Sequence, residues 1–166
     1  KECISKNGLI VIECMYLGDQ LENHSFETVY HGNYTYLSLC SISIFAEMAG
    51  VEVFGAKMID SHGSSIRVWM GKNNTSKDSC IPQMELLKIQ KRERNLGYHQ
   101  MTTLVEKINS FEFVISNFIS NFKKFIDKEN SLGRTVVGYG AAAKTATYIS
   151  LLGSDFQSVK FICDIN

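Results

Sequence analysis

Three stretches of this sequence carry residue types whose spacing can do chemistry. The first is "TVYHGNYTYLSL", Thr28 to Leu39, which packs Tyr30, His31, Asn33, Tyr34 and Tyr36 into seven residues. Polar aromatics this dense mark either a wet site or the solvated face of a strand. The second is "GYGAAAKT", Gly138 to Thr145. Read as G-x-G-x-x-A, it is a turn whose glycines let backbone approach a pyrophosphate at the free N–H groups of a helix start. Asp164 follows at roughly the spacing of a ribose-binding acid. Read as a G-x-x-x-x-G-K-T phosphate loop, it fails by one residue, because Ala143 stands where the second glycine belongs. A third reading needs no ligand: the glycines serve only a tight strand-to-helix turn. Lys144 favours an anion, since a cation in the first helical turn opposes the helix dipole unless a phosphate sits between them. The third stretch is "DSHGSSIR", with His62 and Arg67. His62 either caps a turn or lies near a substrate, and Arg67 either pairs with a carboxylate or faces a diphosphate.

The rest of the composition narrows the class. The chain has 166 residues, 45% hydrophobic and 20% charged, with 17 basic and 17 acidic residues. That is ordinary for one sizeable globular domain or two small ones. A net charge of zero gives no basic field for nucleic acid. Apolar runs such as "GLIVIEC" are too short to span a bilayer. The five cysteines stand far apart, with no C-x-x-C pair, so neither a zinc site nor a disulfide framework is expected. Free thiols in a reducing, cytoplasmic setting are the expectation, and the Asn-x-Ser/Thr triplets at Asn23, Asn33, Asn73 and Asn74 then carry no meaning. His24 and His99 read as surface residues.

These residues must be positioned by a small set of elements. "GLIVIECMYL" (8–17) is a continuous apolar run that predicts a buried strand. Ile42, Phe45, Ala46 and Ala49 recur at helical spacing, with Ser41 able to cap the helix and Gly50 able to end it. Segments 51–60 and 64–72 alternate as two strands around "SHG", which predicts a hairpin. After a loop at 73–79, Pro82 suits a helix start and Gly97 a helix end. A longer helix is predicted from about His99 to Asp127, its apolar residues recurring at three and four as a packing stripe. In 131–164, Val136-Val137 opens a strand, the glycine turn follows, "AAAKTATYISLL" forms a helix ended by Gly153, and Val159 to Cys163 gives a second strand. The handedness rule makes the two strands of this βαβ unit parallel neighbours. The chain starts without methionine and stops just after that unit, which reads as a piece of a longer fold.

Nearly the whole chain resembles the sugar C-methyltransferases, S-adenosylmethionine enzymes that methylate a carbon of a nucleotide-linked keto-sugar. "GLIVIECMYLGDQLENHSFETVYHGNYTYLSL" is similar to the family's junction between its methyltransferase domain and its substrate region. "GVEVFGAKMIDSHGSSIRVWM" resembles the hairpin that follows, and "GRTVVGYGAAAKTATYISLLG" resembles the opening of a C-terminal Rossmann-like domain. The resemblance implies that S-adenosylmethionine is held by a domain upstream of this chain. It also implies that a base removes a proton beside the keto group, and that donors stabilise the enolate before it attacks the methyl sulfonium. The family's cluster for this work resembles Tyr-x-Glu-His. Here the four residues are Tyr30, His31, Gly32 and Asn33, so the tyrosine matches while the acid and the base are replaced. Asn33 can donate a hydrogen bond but cannot titrate. On an extended strand His31 would face away from its neighbours, and Gly32 would have to permit a local change of backbone for His31 to act instead.

The fold class expected is therefore α/β: a strand hairpin, two long helices and a partial Rossmann-like βαβ unit. The expected segments are 1–40 (end of the methyltransferase domain and catalytic junction), 41–81 (helix and hairpin), 82–130 (helical pair) and 131–166 (first βαβ unit). The resemblance makes Tyr30, His31 and Asn33 the catalytic candidates. It makes Tyr36, His62, Arg67, Tyr139, Gly140 and Lys144 the contacts for a nucleotide-diphosphate sugar. No metal, nucleic acid or membrane is expected, and the open edge of a cut βαβ unit suggests a homodimer. Two other readings stay open: a nucleotide-sugar-binding module that has lost its base, and an NAD-binding Rossmann oxidoreductase fragment resting on G-x-G-x-x-A and Asp164.

Overall fold

A computed structural model describes residues 4–61, 64–72 and 81–165. His62 and the expected loop at 73–79 lie outside the described residues. The chain divides into two compact units. One takes the residues up to Asn23 together with Thr35–Val105, and the other takes His24–Tyr34 together with the residues from Glu106 on.

The first unit is built on a three-stranded antiparallel sheet of β1 (Leu9–Met15), β2 (Glu52–Ile59) and β3 (Ser65–Gly71), in the order β1-β3-β2. The expected hairpin is the β2–β3 pair. The sequence expectation of a buried first strand needs correction. Along β1, Ile10, Ile12 and Cys14 pack on the core, while Leu9 and Val11 are about half exposed. An edge strand covered on one face needs apolar residues only at alternate positions, and the extra valine and leucine of β1 exceed that need.

Helices α2 (Leu39–Met48) and α3 (Gln83–Asn95) contribute Ile42, Ala46, Leu86 and Ile89 to the core against Ala56, Ile66 and Val68. The cap of α2 is Ser38 rather than Ser41. Ser38 Oγ accepts the Ser41 N–H, and Ser41 Oγ accepts the Ser38 N–H, so the two serines form a reciprocal box. A short helix, α1 (Leu17–Glu22), occupies a polar stretch in which no element was expected.

Helix α4 (Met101–Ser131) supplies residues 101–105 to the first unit and the rest to the second. The second unit then runs through β4 (Gly138–Tyr139), α5 (Thr145–Leu152), a 3-10 stretch (Gly153–Ser158) and β5 (Ile162–Cys163). β4 and β5 pair in parallel, as the handedness rule requires. No helix among the described residues is long and apolar enough to cross a membrane.

Candidate functional site

Residues 30–33 form a reverse turn closed by the Asn33 N–H donating to the Tyr30 carbonyl at 2.9 Å. The side-chain amide of Asn33 donates back to the Thr28 carbonyl at 2.8 Å. This corrects the expectation of an extended segment, and its cause is local: asparagine offers the backbone a competing partner that a strand ladder would not satisfy. Tyr30 lies edge-on to the His31 ring with centroids 6.0 Å apart, and His31 is exposed. Gly32 does not adopt a left-handed φ. It is glycine for room instead, since a Cβ there would stand 2.8 Å from Cε2 of Tyr30.

The turn is held from behind. His24 is corrected from a surface residue to a half-buried one, its ring 5.5 Å from Phe111 and its Nε2 3.1 Å from Ser110 Oγ. Phe26 is buried against Phe118 and Tyr148, with centroids at 5.5 and 5.7 Å. Burial first, then the charge of Glu27, raises the phenol of Tyr148 above its ordinary value.

In the glycine turn, Gly138 donates to the Phe161 carbonyl and Gly140 to the Cys163 carbonyl, at 2.9 and 2.7 Å. Gly140 has φ +91°, and a Cβ there would meet nothing within 4 Å, so backbone conformation alone demands the glycine. The Asp164 carboxylate accepts the Ala141 N–H at 2.5 Å and the Ile165 N–H at 2.7 Å. The acid that the dinucleotide reading assigned to a ribose thus ties the turn to the second strand. Lys144 precedes the first residue of α5 instead of standing within its first turn, and its Nζ pairs with Glu27 Oε1 at 3.4 Å. A carboxylate of this chain faces the cation, so the place of Lys144 does not by itself require a phosphate. Tyr139 is largely exposed.

Tyr36 and Arg67 belong to the first unit. Tyr36 is half-buried. Arg67 stands directly across from Glu13 in the β1–β3 register, and its Nε and Nη2 both donate to Glu13 Oε2, at 2.9 and 2.7 Å. Of the two readings of Arg67, the carboxylate pair is the one found.

Sequence reasoning missed a polar cluster in the first unit. The Glu93 carboxylate, buried on α3, accepts the Leu39 and Cys40 N–H groups at the start of α2. Tyr16 is fully enclosed beside it, and its hydroxyl has no hydrogen-bond partner among the described residues. Burial, then the charge of Glu93, holds that phenol well above its ordinary value. Arg92 lies 5.7 Å from the centre of the Tyr16 ring and bonds Asp19 at 2.6 Å, which more than restores the charge that burial opposes. The buried Tyr98 hydroxyl donates toward the Gly18 carbonyl and Glu22. The available signal was an acid at a core position of the α3 stripe, four residues after Ile89.

With both units described, the chain can be compared with known proteins. Residues 60–166 match the model of the C-methyltransferase C-terminal domain, and the chain belongs to that family. Over 167 aligned residues it is 27% identical to the C-methyltransferase NovU of Streptomyces niveus, covering 97% of this chain and 37% of that protein. The chain therefore spans little more than a third of that relative's length.

Proposed function

We propose that this chain is the substrate-binding part of an S-adenosylmethionine-dependent enzyme that methylates a carbon of a nucleotide-linked keto-sugar. One observation supports it beyond the family: the Tyr30 turn and the glycine turn, far apart in sequence, fall in the same compact unit. In this reading Tyr139, Gly140 and Lys144 contact the nucleotide diphosphate. Tyr30 donates toward the developing enolate oxygen, and His31 takes the proton that the family's missing histidine would take. The reverse turn supports that substitution, because residues in a turn are not bound to alternate faces as they are on a strand. Arg67 belongs to the other compact unit and pairs there with Glu13, so this reading does not use it. We assign S-adenosylmethionine to residues outside this chain, as the family resemblance implies. When bound there, the cofactor supplies the methyl group.

A second reading, a nucleotide-sugar-binding module without turnover, is favoured by Asn33. Its side-chain N–H is bonded to Thr28, and an amide cannot titrate. Calorimetry with a thymidine-diphosphate sugar tests what the two readings share. Heat of binding that weakens in Lys144→Met supports the site, and no heat at millimolar ligand sinks both. His31→Ala in the complete protein separates them: loss of methyl transfer at neutral pH supports the enzyme, and unchanged transfer removes His31 as the base.

A further inference from the structure

Helix α5 follows the glycine turn, and one of its faces is given over to the segment that leads into the Tyr30 turn. Lys144, Thr147, Tyr148 and Leu151 recur at three and four, the spacing of neighbours on a helix face. Lys144 pairs with the Glu27 side chain, and Tyr148 packs its ring edge-on to Phe26. Thr147 Oγ1 donates to the Val29 carbonyl at 3.0 Å and lies 3.4 Å from the Glu27 carbonyl. A threonine in a helix ordinarily returns its hydroxyl to the carbonyl one turn back. This one is spent instead on the peptide that immediately precedes Tyr30.

The bond is also placed to matter. Val29 is exposed, and a hollow of about 260 Å³ opens beside it, lined by Phe26, Phe111, Ile115, Thr147 and Leu151 among others. Packing beyond Phe26 therefore restrains this peptide little; its N–H donates to the Thr28 carbonyl at 3.1 Å, and the Thr147 bond restrains its carbonyl. We propose that Thr147 is a positioning residue for the Tyr30–Asn33 turn, fixing the carbonyl from which the turn departs and so the direction in which Tyr30 and His31 point. The consequence for turnover rests on the methyltransferase reading above, while the restraint itself does not.

The test has two arms. In the 166-residue chain, Thr147→Val keeps the side-chain shape and removes the donor. The loss of one neutral hydrogen bond predicts amide exchange of Tyr30 and Asn33 about 5-fold faster. The amides of α5 and the urea midpoint read from Trp69 stay unchanged, and Thr147→Ser restores protection. Unchanged exchange at 30–33, or an equal increase throughout α5, would overturn the proposal. In the complete protein, with S-adenosylmethionine and a nucleotide-linked keto-sugar, the same variant lowers kcat while KM for S-adenosylmethionine holds. A wild-type protein without methyl transfer would defeat the functional reading and leave the exchange result to decide the restraint.

Discussion

Glu93 is the one acid buried among the described residues, and replacing it with glutamine removes a charge without changing the shape of the core. Its two oxygens accept the Leu39 N–H at 2.6 Å and the Cys40 N–H at 2.8 Å. These are orphan donors of the first turn of α2, which no intrahelical carbonyl can satisfy. Glutamine keeps one acceptor but turns its amide group toward the other N–H, donor against donor. One charge-assisted bond is worth about 1.5–3 kcal/mol. A charge lost at a partly buried helix start adds up to about 2 kcal/mol. Together these predict a loss of about 2–4 kcal/mol. Trp69 is the only tryptophan in the sequence and sits on β3 of the same unit, so its fluorescence reports the unfolding locally. With a urea slope of about 2 kcal/mol/M, the midpoint of Glu93→Gln falls by about 1–2 M. Ser38→Ala, which removes the neighbouring cap, falls by about half as much, since such caps are worth about 1 kcal/mol. A shift in Glu93→Gln no larger than that of Ser38→Ala, at unchanged slope, would refute the charge-capping argument.

Three further outcomes follow from the geometry. Tyr16 and Tyr98 hold their protons in the folded chain beyond the ordinary tyrosine value of about 10. Above that pH the unfolded chain loses protons that the folded chain keeps, so stability present below about pH 10 falls as pH rises, and urea midpoints measured from pH 9 to 11 should decline less steeply in Tyr98→Phe. Arg67→Ala should cost no more than about 1 kcal/mol, because its pair with Glu13 is solvent-exposed, and should leave nucleotide-sugar binding unchanged in calorimetry. Gly32→Ala should displace the Tyr30 ring, seen as a shift of its ring resonances, at a stability cost within about 0.5 kcal/mol for so exposed a position.

Elements whose signal is local were legible in the sequence. The β2–β3 hairpin follows from period-two alternation beside a tight turn, α3 and α4 from recurrence at three and four, and the βαβ unit from its glycines. What the sequence concealed depends on partners far along the chain. β1 reads as a strand, but nothing in its residues says that Ile12 pairs with Val68, which leaves one face half bare. Tyrosine-rich segments favour strands on propensity, yet residues 30–33 turn because Asn33 and Thr28 supply a local hydrogen-bond alternative. The Lys144–Glu27 pair joins residues 117 apart, so the charge of Lys144 was visible in the sequence and its partner was not.

The missing acid–base pair takes on a different meaning in this light. From sequence, Gly32 and Asn33 are simply two losses against the family pattern. In the folded chain, each has work that a family residue could not take over without rearrangement. A side chain at position 32 would strike the Tyr30 ring, and a histidine at 33 would have to reproduce the reach of an amide N–H to the Thr28 carbonyl. Restoring glutamate and histidine together therefore rebuilds the turn as well as its chemistry, and neither alone can be read as the return of a single function. The segment that leads into this turn is bonded to α5, the helix that follows the glycine turn, so on the methyltransferase reading proposed above a single helix ties the nucleotide contacts at Gly138–Lys144 to the reacting group at Tyr30.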